Sequence, residues 1–248
     1  MFRPILPLAI LALGISGTLI HAAGPSPHPI RAIEDIEWSY AGGDNPHVRL
    51  THDGMNSTMD TDDLPRVADG LAATSSNPGE AVSFDLAREA GALACTGEWA
   101  AQGTAHGTCR FDPDQAFVAA LAGRGLRPQD SDEAFALALV DARVAEVDAL
   151  ERAGFDLTEV DDLLAVSALE VTAEYAGELR AAGLAIDELD DLVAARALEI
   201  SPHWLAEMAE AGYPGLTTDQ AISMRALDVT PDYARRMKRV ASAVGELM

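Results

Sequence analysis

At 248 residues, 48% of them hydrophobic, the chain is long enough for one or two domains with a sizeable core, and no long polar tract marks it as disordered. Its 40 acidic residues against 17 basic ones give a formal net charge of −23. Binding to nucleic acid or to anionic membrane surfaces needs a positive face, so both are excluded as general roles, leaving solubility and attraction to basic or cationic partners.

Residues 1–23 carry one early positive charge (Arg3), an apolar run from Ile5 to Ile20, and small residues at Ala22 and Ala23. That layout predicts a cleaved secretory signal peptide, and with it a periplasmic or secreted protein without stable membrane insertion after cleavage. An uncleaved anchor is the alternative, but the run falls short of the ~20 apolar residues of a spanning helix and contains Pro7, Gly14 and Gly17. Cleavage removes Arg3 alone among the charges.

Gly24-Pro25-Ser26-Pro27-His28-Pro29 opens a linker over residues 24–35. Ile36 to Tyr40 and His47 to Thr51 read as two strands joined by a turn through Gly42, Gly43, Asp44, Asn45 and Pro46. Gly54 to Glu80 reads as a long loop with at most one irregular turn near Leu64 to Val67. Val82 to Leu86 alternates as a strand, with an apolar face at 82, 84 and 86. Ala92 to Trp99 and Thr104 to Phe111 then form a hairpin turning at Ala101-Gln102-Gly103, where Gly103 can take a positive φ.

A turn centred on Gln102 sets Cys95 opposite Cys109. Opposed strand positions have Cβ atoms ~4.5–5.5 Å apart, close to what a disulfide needs, and export supplies an oxidising compartment. A Cys95–Cys109 disulfide is therefore expected. Free or metal-binding thiols are the alternative, but Cys-x-x-Cys spacing is missing and only His106 lies nearby.

Asp112-Pro113 ends the antiparallel β domain (residues 36–112), and Phe117 opens an α-helical repeat domain (113–248). Gly125, Gly154, Gly183 and Gly212 recur every 29 residues, with Leu121, Leu150, Leu179 and Met208 four positions before them and Leu126, Phe155, Leu184 and Tyr213 directly after. This is a repeat array. Thr172, Ser201 and Thr230 are in-phase N-caps, the last two followed by Pro202 and Pro231, and each glycine is a left-handed helix stop. A second helix is expected to start at Thr158, Asp187 or Thr217, with Asp161, Asp190 and Gln220 three positions on; Thr217 and Gln220 make a capping box. Its buried face is Leu163, Leu164 and Ala168, then Leu192, Val193 and Ala197, then Ala221, Ile222 and Ala226. Pro113 to Val140 is a degenerate first repeat and Thr230 to Met248 a half-repeat that closes the far end.

Tyr175, Trp204 and Tyr233 share one phase, where core packing is a better account than a ligand-stacking row. Arg196 and Arg225 share another; pairing with nearby carboxylates explains them better than an anion ladder. The basic patch Arg235, Arg236, Lys238 and Arg239 complements the dipole of the last helix. His47 and His52, with Asp44 and Asp53, come nearest to a metal cluster, but five residues along a strand puts the histidines on opposite faces. The acidic run Asp60 to Asp63 lacks the glycine and later glutamate of a calcium loop. No catalytic motif, cofactor loop or metal motif occurs, so no enzyme activity, cofactor or metal is expected.

The run Val82 to Gly91, followed by Cys95-Thr96-Gly97-Glu98-Trp99, Gly103, Gly107 and Phe111 to Phe117, resembles a module of bacterial extracytoplasmic signalling proteins. There a small β domain precedes repeats like Val171 to Tyr175, Glu178 to Leu184 and Asp190 to Arg196. Such modules are the outward-facing C-terminal parts of BlaR-type sensor metallopeptidases and also occur as free-standing exported proteins. This chain lacks the multi-span region and the zinc-peptidase motif. The resemblance implies a sensing or interaction module and transfers no catalytic residue.

The expected protein is α+β: a small antiparallel β domain followed by a helix-turn-helix array, acting as an exported sensing or protein-interaction scaffold. A protein partner is expected, with a membrane sensor as one candidate and no nucleic acid. The alternative is a periplasmic small-ligand binding protein with its site between the β domain and the first repeats, and a purely structural envelope role is a third reading.

Overall fold

Alternating apolar side chains draw the N-terminal half into a single sheet. The computed structural model describes residues 28–61, 64–72, 77–100 and 103–245; the expected signal peptide lies outside them. Strands β1 (Ile33–Ala41), β2 (His47–His52), β3 (Met55–Asp60), β4 (Ala81–Arg88), β5 (Gly91–Trp99) and β6 (Thr104–Pro113) pair antiparallel in the order β3-β2-β1-β6-β5-β4. Helix α1 (Pro65–Ala72) separates the two three-strand meanders.

Both β3 and α1 lie where the sequence reads as a loop, and turn chemistry accounts for the first. Asp53 (φ 44°) and Gly54 (φ 86°) make a two-residue hairpin turn in which both central residues need positive φ. Helix α1 directs Leu64, Val67 and Leu71 inward, and Gly70 lets it approach β4, since a Cβ there would stand 2.9 Å from that of Phe84. Strand β1 begins at Ile33, ahead of a register shift between Ile33 and Ile36 that holds Asp35 at φ 58°.

The buried face is organised in rows that cross the strands. Leu86, Leu93, Phe111 and Ile33 make one row, and Phe84, Cys95, Cys109 and Ile36 the next. Cys95 and Cys109 are directly paired, with Cα atoms 4.0 Å apart and sulfurs at disulfide distance. That is the register a turn centred on Gln102 sets, although Ala101 and Gln102 lie outside the described residues. In the third row Gly97 faces Gly107, and the indole of Trp38 lies over them: a Cβ on Gly97 would stand 2.7 Å from Trp38 Cζ2.

The helices that follow are α2 (Gln115–Ala122), α3 (Ser131–Leu139), α4 (Val144–Arg152), α5 (Val160–Ala168), α6 (Ala173–Ala181), α7 (Leu189–Ala197), α8 (Pro202–Glu210), α9 (Thr218–Ala226) and α10 (Pro231–Gly245). They stack in two layers, with α2 on α4, α4 on α6 and α8 on α10 in one, and α3 on α5 and α7 on α9 in the other. Helix α3 also packs on β5 and β6, where the Phe135 and Phe111 rings lie 5.4 Å apart, so sheet and array share one core. Among the described residues no helix is long and apolar enough to cross a membrane.

Candidate functional site

The surface of the array follows from how each helix stops and starts. At Gly183 (φ 92°) the N–H of Leu184 donates to Leu179 and that of Gly183 to Arg180, both at 3.0 Å, the two bonds of a Schellman stop. Gly125, Gly154 and Gly212 repeat the pair of bonds. The second helix of each unit stops in the same way, but with an acidic residue in the left-handed position: Asp141, Glu170, Glu199 and Asp228 have φ between 52° and 54°. Sequence reasoning missed these stops, although the four acids keep the 29-residue period.

The hydroxyls of Thr172, Ser201 and Thr230 accept from the N–H groups of Tyr175, Trp204 and Tyr233, as expected. Second-helix caps fall at Asp130, Glu159, Glu188 and Thr217, which corrects Thr158 and Asp187 by one residue. Thr217 and Gln220 form the reciprocal pair. In α5 it is Asp162, not Asp161, that accepts from Thr158 N–H at 2.7 Å and Glu159 N–H at 3.1 Å. The buried face is Val160, Leu163 and Val166 in α5 and Leu189, Leu192 and Ala195 in α7, with Leu164 and Val193 half-buried beside it. Ala168, Ala197 and Ala226 are exposed, against expectation.

Arg196 and Arg225 tie units together. Arg196 Nε donates to the Leu169 carbonyl at 2.9 Å and Arg225 Nε to that of Leu198 at 2.8 Å, each at the C-terminus of the preceding second helix. Their guanidinium groups stand 3.6 and 3.7 Å from Glu170 and Glu199, and lie over the rings of Tyr175 and Trp204. Acidic pairing is thus present, with the helix-end carbonyl as the closer partner. Arg180 does the same for α4, donating to Ala153 at 2.9 Å above the Phe155 ring. Lys238 donates to Gly212 at 3.2 Å and so caps α8, whereas α10 runs on to Gly245 with no basic residue in its last turn, so against expectation the basic patch sits mid-helix and does not complement that helix's dipole.

Tyr175 and Trp204 are buried, as core packing requires, while Tyr233 is 46% exposed. Tyr175 donates its hydroxyl to Ile200 at 2.7 Å, and burial pushes its pKa up to about 12 against the opposing pull of Arg196. His47 and His52 do not converge. His47 Nδ1 lies 3.0 Å from the Asn45 carbonyl, whereas His52 stands 3.6 Å from Asp132 and edge-on to Phe135. Asp62 and Asp63 lie outside the described residues, among which no group of three or more His, Cys, Asp or Glu is placed to hold a metal.

Carboxylates converge along the edge where second helices begin. A crevice of about 500 Å³ between the starts of α5 and α7 is lined by Asp156, Glu159, Asp162, Asp187, Glu188 and Asp190. Arg180 reaches one of them, Asp187, at 3.6 Å. One unit further on the edge turns apolar, with a crevice of about 360 Å³ walled by Leu184, Leu205, Tyr213 and Leu216.

No protein-family model, curated protein or solved structure matches the chain.

The functional reading therefore rests on what this surface can do. Helix N-termini favour carboxylates through the dipole and through their free N–H groups. Six carboxylates around one crevice exceed what two helix starts need, and their summed field draws basic or cationic groups.

Proposed function

We propose that the chain is an exported, non-catalytic scaffold for sensing or protein interaction in envelope signalling, and that its helical array receives a protein partner. The observation that carries this reading is the carboxylate-lined crevice between α5 and α7, an acidic recess on a stack of helix pairs. Stacked repeats offer extended surface for recognition, and a basic segment of a partner complements this part of it. The resemblance to the outward-facing region of BlaR-type sensors supports the same role and makes a membrane sensor a candidate partner. Export through residues 1–23 places the scaffold in the periplasm or outside the cell, with neither cofactor nor nucleic acid involved. The alternative, a small ligand held between sheet and first unit, draws little support from that junction, where Phe111, Phe135 and His52 pack on one another.

Affinity capture of the tagged chain from its native envelope fraction tests the proposal when repeated with Glu159→Gln, Asp187→Asn and Glu188→Gln combined. The scaffold reading expects a protein partner with the first and its loss with the second. Recovery of no protein, together with a thermal shift on adding a small periplasmic metabolite, would favour the alternative.

A further inference from the structure

We infer that the C-terminal end of the array carries a socket for an arginine side chain on a helix of a partner protein. The inference rests on the scaffold reading and names the chemistry of the partner at one place. Inside the array one three-part contact is made twice. Arg196 meets the Leu169 carbonyl, the Glu170 carboxylate and the Tyr175 ring, and Arg225 meets the Leu198 carbonyl, the Glu199 carboxylate and the Trp204 ring. The third set of acceptors follows 29 residues on: the carbonyl of Leu227, the carboxylate of Asp228 at φ 53°, and the ring of Tyr233.

No described arginine fills this third position. Arg235 pairs with Asp232 at 3.2 Å, and Lys238 is turned to Gly212. The cover is missing as well: Leu198 is half-buried but Leu227 is 78% exposed, and Trp204 is 6% exposed but Tyr233 46%. Met237 and Val240 extend the apolar patch along α10. At the opposite end of the array Asp141, the first acid in this phase, is met by Arg88 of the sheet at 3.1 Å and by Arg143 of its own unit.

Shape selects guanidinium. Its planar fork can donate to a carbonyl, face a carboxylate and lie on a ring together, which a lysine ammonium cannot. The Asp228 carboxylate attracts the arginine, and apolar side chains of the helix that carries it can cover Leu227 and Met237.

The test uses the full chain, labelled for NMR, and an alanine-based helical peptide with flanking lysines and one central arginine, compared with a twin carrying lysine in its place. The arginine peptide should shift resonances of Leu227, Asp228, Tyr233 and Met237, and bind roughly threefold or more tightly than its twin. Asp228→Asn and Tyr233→Ala should each remove that preference while leaving the other resonances in place. Equal affinity of the two peptides, or no shift at these residues at millimolar peptide, overturns the socket. Shifts confined to the crevice around Glu159 and Glu188 also overturn it, yet leave the scaffold reading standing. Concentration-dependent shifts at the same residues without peptide would assign the surface to a second copy and refute the arginine partner.

Discussion

Arg225 Nε donates to the carbonyl of Leu198, 27 positions earlier, at 2.8 Å. Arg196 and Leu169 stand in the same relation at 2.9 Å. The last carbonyls of a helix have no partner within it, so each arginine supplies a donor where the preceding unit lacks one. Contact between units is therefore specified by a directed polar bond as well as by apolar packing, which fixes both spacing and orientation in the stack.

Removing that bond should cost more than its position at the surface suggests. Arg225→Ala is expected to lower unfolding stability by about 1.5–3 kcal/mol, through the charged donor and the contact with the Trp204 ring. Arg225→Lys should recover little, because an ammonium does not reproduce the fork. Urea denaturation checks both, with the exposed Arg236→Ala as a control expected within about 0.5 kcal/mol of the parent. Full recovery by lysine would reduce the contact to simple charge.

The two kinds of helix stop predict opposite signs. A Cβ at Gly183 would meet nothing within 4 Å, so Gly183→Ala should cost the left-handed strain alone, about 1–2 kcal/mol. Glu199 already bears such strain at φ 54°, and its carboxylate is an exposed partner 3.7 Å from Arg225. Glu199→Gly should therefore stabilise by up to about 1 kcal/mol. Paired thermal melts decide the matter, and a lower Tm for Glu199→Gly would show that its ion pair outweighs the strain.

The crosslink between Cys95 and Cys109 closes a loop with a sequence separation of 14 in the middle of the sheet. Chain entropy places the loss on replacing both cysteines with alanine at about 3 kcal/mol. Guanidinium denaturation of the oxidised, reduced and double-alanine forms should show the last two close together and well below the first. Equal stability of all three would mean that the crosslink contributes nothing.

Tyr175 gives the stack an alkaline limit. Its folded pKa, about 12, lies above the ordinary tyrosine value of 10. The unfolded chain therefore loses this proton first as pH rises, and the folded state's advantage is complete below about pH 10 and lost by about pH 12. Tyr175→Phe should be less stable at neutral pH, having lost the bond to Ile200, and should decline less steeply between pH 10 and 12. Identical slopes would remove Tyr175 as the cause.

Local signals with one dominant cause were legible in the chain. Gly183 has one conformational reason to recur, Thr217 with Gln220 one capping pattern, and Cys95 with Cys109 one register. Strand β3 was hidden because its inward positions are Met55, Ser57 and Met59, a weak alternation, even though Asp53-Gly54 marks its turn. The caps at Glu159 and Glu188 were displaced by neighbouring residues that cap equally well in isolation, and only the period from Thr217 separates them. Nothing in the chain marks Glu170 and Glu199 as helix stops, because an acidic residue at positive φ carries no local signature. The crevice was invisible for another reason, since its walls come from two units and their approach is a product of stacking.

The most direct test of the scaffold account is photo-crosslinking in the native compartment, with a photoreactive amino acid placed at position 159 or 188 on the acidic edge, or at position 94 on the exposed face of the sheet. The account predicts one discrete protein adduct from 159 and 188 and none from 94. Adducts from 94 alone, or none from either edge position, would contradict it.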